Sequence, residues 1–128
     1  GNDSIAYIGA RAFLRLGKDD EARATAQGGL SVTRKSHTKI GCMRVLGIVA
    51  TRRGDLVTAE EEFSKALKLA QEAVMPLLEL LVARDLKQFV LEGGEREVEA
   101  EVLIDTAICK MGKSRDDFAT LLEQRREW

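Results

Sequence analysis

The residues best suited to covalent chemistry in this chain are Cys42 and His37. A cysteine nucleophile needs a base within hydrogen-bond reach and usually a third group to orient that base. His37, the only histidine, stands five residues ahead of Cys42, and no third member presents itself. Cys42 therefore reads as a small apolar packing residue, and Cys109, beside the apolar face of its segment, reads the same way. One His and two distant Cys do not supply a zinc site. Gly28-Gly29 and Gly93-Gly94 lack the following Lys-Ser/Thr and the strand-turn-helix setting of a phosphate-cradling loop. No catalytic activity, cofactor or metal is expected.

What remains with chemical reach is charge. Twenty basic and 21 acidic side chains leave a net charge of −1 over 128 residues, an amount of material typical of one domain. That balance argues against nucleic acid as the partner, since a nucleic-acid binder carries a strongly basic domain or stripe. At 45% hydrophobic and 32% charged, the chain has enough apolar material for a core. The richest apolar stretch, Val74 to Val82, ends at Arg84 and Asp85 and contains Glu79, so it falls short of the roughly 20 residues that cross a bilayer. The N-terminus has no basic-then-apolar signal segment, and two distant cysteines make no disulfide framework. A cytoplasmic, reducing setting without membrane contact is the expectation.

These charges must be positioned by helices. Apolar residues recur every three or four positions almost throughout, and period-two runs of β-branched residues are absent. Leu56, Ala59, Phe63, Ala66, Leu67 and Ala70 share one face, with Asp55 ahead of them as an N-cap. Ala100, Leu103, Ile104, Ala107, Ile108 and Met111 share another. Ser114 and Asp117 form a capping-box variant before Phe118, Leu121 and Leu122. Breaks fall at Gly17, Ser36-His37-Thr38, Gly54, Met75-Pro76, Gly93-Gly94 and Gly112, with Pro76 suited to a first helical turn. The pattern predicts an all-α fold of seven helices over about 3–16, 20–34, 38–53, 56–73, 76–91, 95–111 and 115–126.

The helical pattern also repeats. Ala22, Ala26 and Gly29 align with Ala59, Phe63 and Ala66 at an offset of 37, and these with Ala100, Ile104 and Ala107 at an offset of 41. Each copy is a helix, a tight turn containing glycine and a second helix. The middle copy, with Met43, Leu46, Gly47 and Ala50 followed by Ala59, Phe63 and Ala66, resembles the tetratricopeptide repeat, W-x2-L-G-x2-Y and then A-x3-F-x2-A. Gly47 and Ala59 would let paired helices approach closely, and Phe63 would fill the space toward the next pair. Met43 and Ala50 replace the family's large aromatics, Gln71 stands at the closing proline's place, and the long offsets are similar to those of the family's longer-repeat members.

The resemblance implies an α-solenoid in a single domain spanning 1–128: a right-handed superhelical stack of three antiparallel helical hairpins (about 3–36, 38–75 and 76–112) with a capping helix over about 114–127. The chain itself is expected to be a piece of a longer array. It also implies a function, protein–protein interaction as an adaptor or scaffold, with first helices lining a concave groove. The expected inward stripe is Tyr7, Arg11, Leu14 and Arg15, then Arg44, Ile48, Thr51 and Arg52, then Asp85, Phe89 and Glu92. Arginines in that stripe would select an acidic peptide or partner protein through forked hydrogen bonds; the competing reading pairs them locally with acids of the same chain. The family's two-carboxylate clamp is missing, because Tyr7, Arg11 and Val45 stand at its Lys and Asn positions. A regulatory or self-association segment of a larger signalling protein, with a homodimer through Val74 to Val82, is the alternative.

Overall fold

Four of the helix ends are closed by one backbone device. At Gly17, Gly54, Val74 and Gly112 φ is positive, at +73°, +78°, +54° and +65°. The N–H of the next residue then reaches back to a carbonyl five residues earlier: Lys18 to Phe13, Asp55 to Ala50, Met75 to Ala70 and Lys113 to Ile108, at 2.9–3.3 Å. This Schellman closure satisfies two carbonyls that the helix would leave without a donor. Glycine adopts the left-handed conformation without cost, which is why the sequence announces three of these turns. Val74 adopts it without that freedom.

A computed structural model describes residues 3–124. Among them it is all-helical, with seven α-helices and no strand. In order these are α1 (Asp3–Arg15), α2 (Asp19–Val32), α3 (Ser36–Arg52), α4 (Leu56–Glu72), α5 (Pro76–Leu86), α6 (Glu97–Lys110) and α7 (Ala119–Glu123). α5 runs on into a π-helical turn, Lys87–Leu91, and a 3₁₀ turn, Arg115–Phe118, precedes α7. The predicted helices over about 38–53 and 56–73 agree closely with α3 and α4. Asp55 caps α4 by accepting from the Thr58 N–H at 3.1 Å, and Pro76 opens α5. The Ser114–Asp117 capping box forms, with the Ser114 N–H donating to Asp117 Oδ2 at 2.8 Å. That same bond is the first cause of an Asp117 carboxyl held below the usual range. In the last predicted span, 115–126, a 3₁₀ turn and then α7 occupy 115–123, and positions 125 and 126 lie outside the described residues.

The repeat reappears as burial. The fourth, eighth and eleventh residues of α2 are Ala22, Ala26 and Gly29; of α4, Ala59, Phe63 and Ala66; of α6, Ala100, Ile104 and Ala107. All nine are buried. From α1 to α6 each helix packs on the next, α1 also on α3, and α3 on α5. Small residues set the spacing: a Cβ added at Gly47 would lie 2.5 Å from the Phe63 ring, one at Gly41 2.5 Å from the Tyr7 ring, and one at Gly29 2.7 Å from the Ala6 Cβ. Leu14, Ile40, Val45, Ile48 and Phe63 belong to one apolar core, with Phe63 stacked on Phe89 at 6.1 Å between centroids. Leu80, Ala83, Ile104, Ala107 and Ile108 form a second, smaller core, covered by Phe118, Leu121 and Leu122.

Candidate functional site

α1, α3 and α5 each send side chains to one cleft of about 280 Å³. Tyr7 and Arg11 come from α1, Arg44 from α3, and Leu78, Leu81 and Arg84 from α5; Leu121 and Gln124 close one end. The helical spacing explains the α5 contribution, since residues three apart share a face. Its tail end is held by backbone capture, with Arg84 Nη1 donating to the Leu121 carbonyl at 3.1 Å and Gln88 Nε2 to the carbonyls of Leu122 and Gln124.

Beneath the cleft lies a buried ion pair. Arg44 Nε donates to Asp85 Oδ2 at 2.6 Å, with both side chains out of solvent, and Arg84 Nη2 stands 4.0 Å from Asp85 Oδ1. Burial pushes the Asp85 carboxyl up from its ordinary value, and Arg44 and then Arg84 oppose that shift. A carboxylate this deep is tolerated because guanidinium forks meet it. The described lining thus combines the guanidinium groups of Arg11, Arg44 and Arg84 with the apolar side chains of Leu78, Leu81 and Leu121.

Of the expected groove residues, the structure therefore brings together Tyr7, Arg11 and Arg44, with Asp85 as the buried partner of the last. The others go elsewhere. Arg15 is exposed outside the cleft. Ile48 is a core residue, Leu14 likewise, and Phe89 turns inward onto Phe63. Arg52 clamps a turn, donating to the Leu14 carbonyl at 3.1 Å and to Asp19 at 2.6 Å. Thr51 donates to the Gly47 carbonyl at 2.9 Å within its own helix, and Glu92 lies beyond the end of the π turn. For Arg44 and Arg52, pairing with acids of the same chain is what the structure contains.

Sequence reasoning missed Arg84, Leu78, Leu81, Leu121 and Gln124. The signal was present in the helix starts. Arg44 is the ninth residue of α3 and Arg84 the ninth of α5, an offset of 40 for first helices where 41 holds for second helices. Applying 41 to both rotated the α5 stripe by one residue, about 100°.

The cysteines divide. Cys42 is buried and burial pushes its thiol up, which is unsuited to a nucleophile. Cys109, expected to pack, is exposed on α6 because it falls one position past the buried Ile108. His37 is exposed. Comparison with protein families, with curated protein sequences and with solved structures finds no match to this chain. No helix among the described residues is long and apolar enough to cross a membrane.

Proposed function

We propose that the chain is a tetratricopeptide-like interaction module, an adaptor or scaffold with no chemistry of its own, whose cleft takes an acidic peptide or acidic segment of a partner protein. The observation that carries this reading is the cleft's composition: α1, α3 and α5 converge on it with guanidinium groups beside Tyr7, Leu78 and Leu81. Guanidinium forks match carboxylates in charge and geometry, and the apolar wall accommodates a neighbouring side chain. The solenoid arrangement, with α7 as its cap, belongs to the same reading. It is supported by equivalent burial in α2, α4 and α6 and by the Phe118, Leu121 and Leu122 cover on the second core. Free thiols at Cys42 and Cys109 suit a cytoplasmic setting.

The test is fluorescence anisotropy with labelled peptides of ten residues carrying alternating Asp and Leu, against matched peptides with Lys in place of Asp. The acidic set should bind, and Arg11→Glu should weaken it at least tenfold. Equal binding of both sets, or no effect of Arg11→Glu, would sink the proposal.

Self-association is a second reading, favoured by Ile5 and Ile8, exposed on one face of α1, and by Leu16, exposed just beyond its end. Light scattering over a range of concentrations reads it directly: a dimer abolished by Ile8→Glu would support it, and a monomer throughout would remove it.

A further inference from the structure

A second surface lies apart from the cleft and shares no lining residue with it. The first turn of α4, the π-helical end of α5 and the loop before α6 enclose a groove of about 440 Å³. Leu56, Val57 and Val90 supply its apolar part, and Val57 is 72% exposed. The repeat shows what is unusual here. The first two residues of α2 are Asp19 and Asp20, which pair with Arg52 and Arg53; in α4 the equivalent two are Leu56 and Val57. A surface acid pair has been exchanged for an apolar pair beside a groove. The wall opposite is a π turn, a rare geometry concentrated at functional positions.

The rim is acidic. Glu60 and Glu95 stand on it, and Glu61 lines an adjoining hollow that shares Val57 and Glu60. Arg96, the one cation among the described lining residues, already holds two carboxylates, Glu60 through two bonds of 2.8 Å and Glu99 at 2.7 Å. This pairing holds Glu60 below the usual carboxylate range, chiefly through the Arg96 hydrogen bond, and leaves Glu61 and Glu95 as exposed acids beside the groove.

We infer that this groove docks a basic amphipathic segment of a partner protein: large apolar side chains at helical spacing seat against Leu56, Val57 and Val90 while flanking Lys or Arg side chains meet the acidic rim. The occupant's charge is opposite to that proposed for the cleft, so the molecule would hold two partners of contrasting chemistry at once.

The experiment titrates labelled twelve-residue peptides into the full chain. One peptide carries Leu at positions 3, 6, 7 and 10 with Lys elsewhere; a second replaces every Lys by Glu; a third replaces every Leu by Ser. The Lys/Leu peptide should bind, the other two at least tenfold more weakly, and added salt should weaken it. Val57→Asp and Glu95→Lys, each at an exposed position, should each weaken it at least fivefold with unchanged circular dichroism; Val57→Ala should give a smaller loss in the same direction. Arg11→Glu, in the cleft, should change it less than twofold. Binding of the Lys/Leu peptide that is indifferent to both Val57→Asp and Glu95→Lys, equal binding of the Lys/Ser peptide, or loss on Arg11→Glu would overturn the assignment.

Discussion

The first two helical pairs, α1 to α4, and the third, α5 with α6, reach a packed interior by different means. In α1 to α4 close approach comes from small residues: Gly29 against Ala6, Gly41 under Tyr7, Gly47 under Phe63. Arg44 apart, charge stays on the outside there, as in the Arg52–Asp19 and Arg53–Asp20 pairs that tie the turn after α3 to the start of α2. In the third pair charge moves inward. Three of the four buried charged residues among those described, Glu79, Arg84 and Asp85, lie on α5, and the fourth, Arg44, reaches across to one of them. Glu79 is met by Lys110 from the end of α6 at 2.9 and 3.0 Å. One repeat pattern thus carries a half fixed by shape and a half in which polar groups are held in place by buried ion pairs. Apolar contacts are indifferent to direction, whereas buried ion pairs fix which side chains face the cleft.

The sharpest way to break this comparison is to remove a charge from the third pair. Asp85→Ala leaves Arg44 buried without its carboxylate and should cost about 3–5 kcal/mol in denaturant unfolding. The double variant Arg44→Met with Asp85→Leu should recover to within about 1 kcal/mol of the parent or better, since an apolar pair of similar volume avoids the desolvation penalty. If both variants were equally destabilised, shape rather than charge would be holding that region. In the first half the corresponding test is Gly47→Ala. The added methyl would sit 2.5 Å from the Phe63 ring, and a cost of about 1–3 kcal/mol is expected. A neutral result would mean that α3 and α4 are not held together by close approach.

Two smaller effects sharpen the picture at the turns. Val74→Gly relieves a β-branched residue from a left-handed conformation that costs roughly 1–2 kcal/mol. Glycine's greater freedom in the unfolded chain offsets part of that, leaving a net stabilisation of about 0.5–1 kcal/mol, read as a higher Tm. Arg96→Ala should lower stability slightly near neutral pH, as the loss of a solvent-screened ion pair does, read as a small drop in Tm. Its pH dependence has a definite sign. Glu60 titrates below its ordinary value in the folded chain, so the pair contributes above the usual carboxylate range and is lost as pH falls through the lowered value. The gap between parent and Arg96→Ala should therefore close in acid, and a gap that widened there would contradict the assignment.

Local chemistry made much of this legible in sequence. Gly17, Gly54 and Gly112, Asp55, Pro76 and the Ser114–Asp117 box each act within a few residues, and each turn or cap formed where those residues stand. The buried faces of α2, α4 and α6 were legible because helical periodicity repeats in all three. Val74 was not, because no property of valine announces a positive φ; its conformation is imposed by Met75 and Pro76 starting the next helix. The π turn was illegible for a similar reason, since Lys87 to Leu91 differ in no local preference from an α-helical run. Of the expected stripe, Tyr7, Arg11 and Arg44 line the cleft, Leu14 and Arg15 do not, and the α5 part is out of phase with its lining residues. Both offsets span α4, and the extra residue of the second-helix offset comes from the third pair, where 21 positions separate the starts of α5 and α6 against 20 for α3 and α4. Spacing taken from second helices therefore does not transfer to first helices.

The proposal that an acidic partner binds in the cleft between α1, α3 and α5 is tested most directly by amide and side-chain NMR shifts recorded while the Asp/Leu peptide is added to the ¹⁵N-labelled chain. Saturable shifts should concentrate at Tyr7, Arg11, Leu78, Leu81 and Arg84 and be absent in Arg11→Glu. Shifts confined to the outer faces of α2, α4 and α6, or none at saturating peptide, would contradict it.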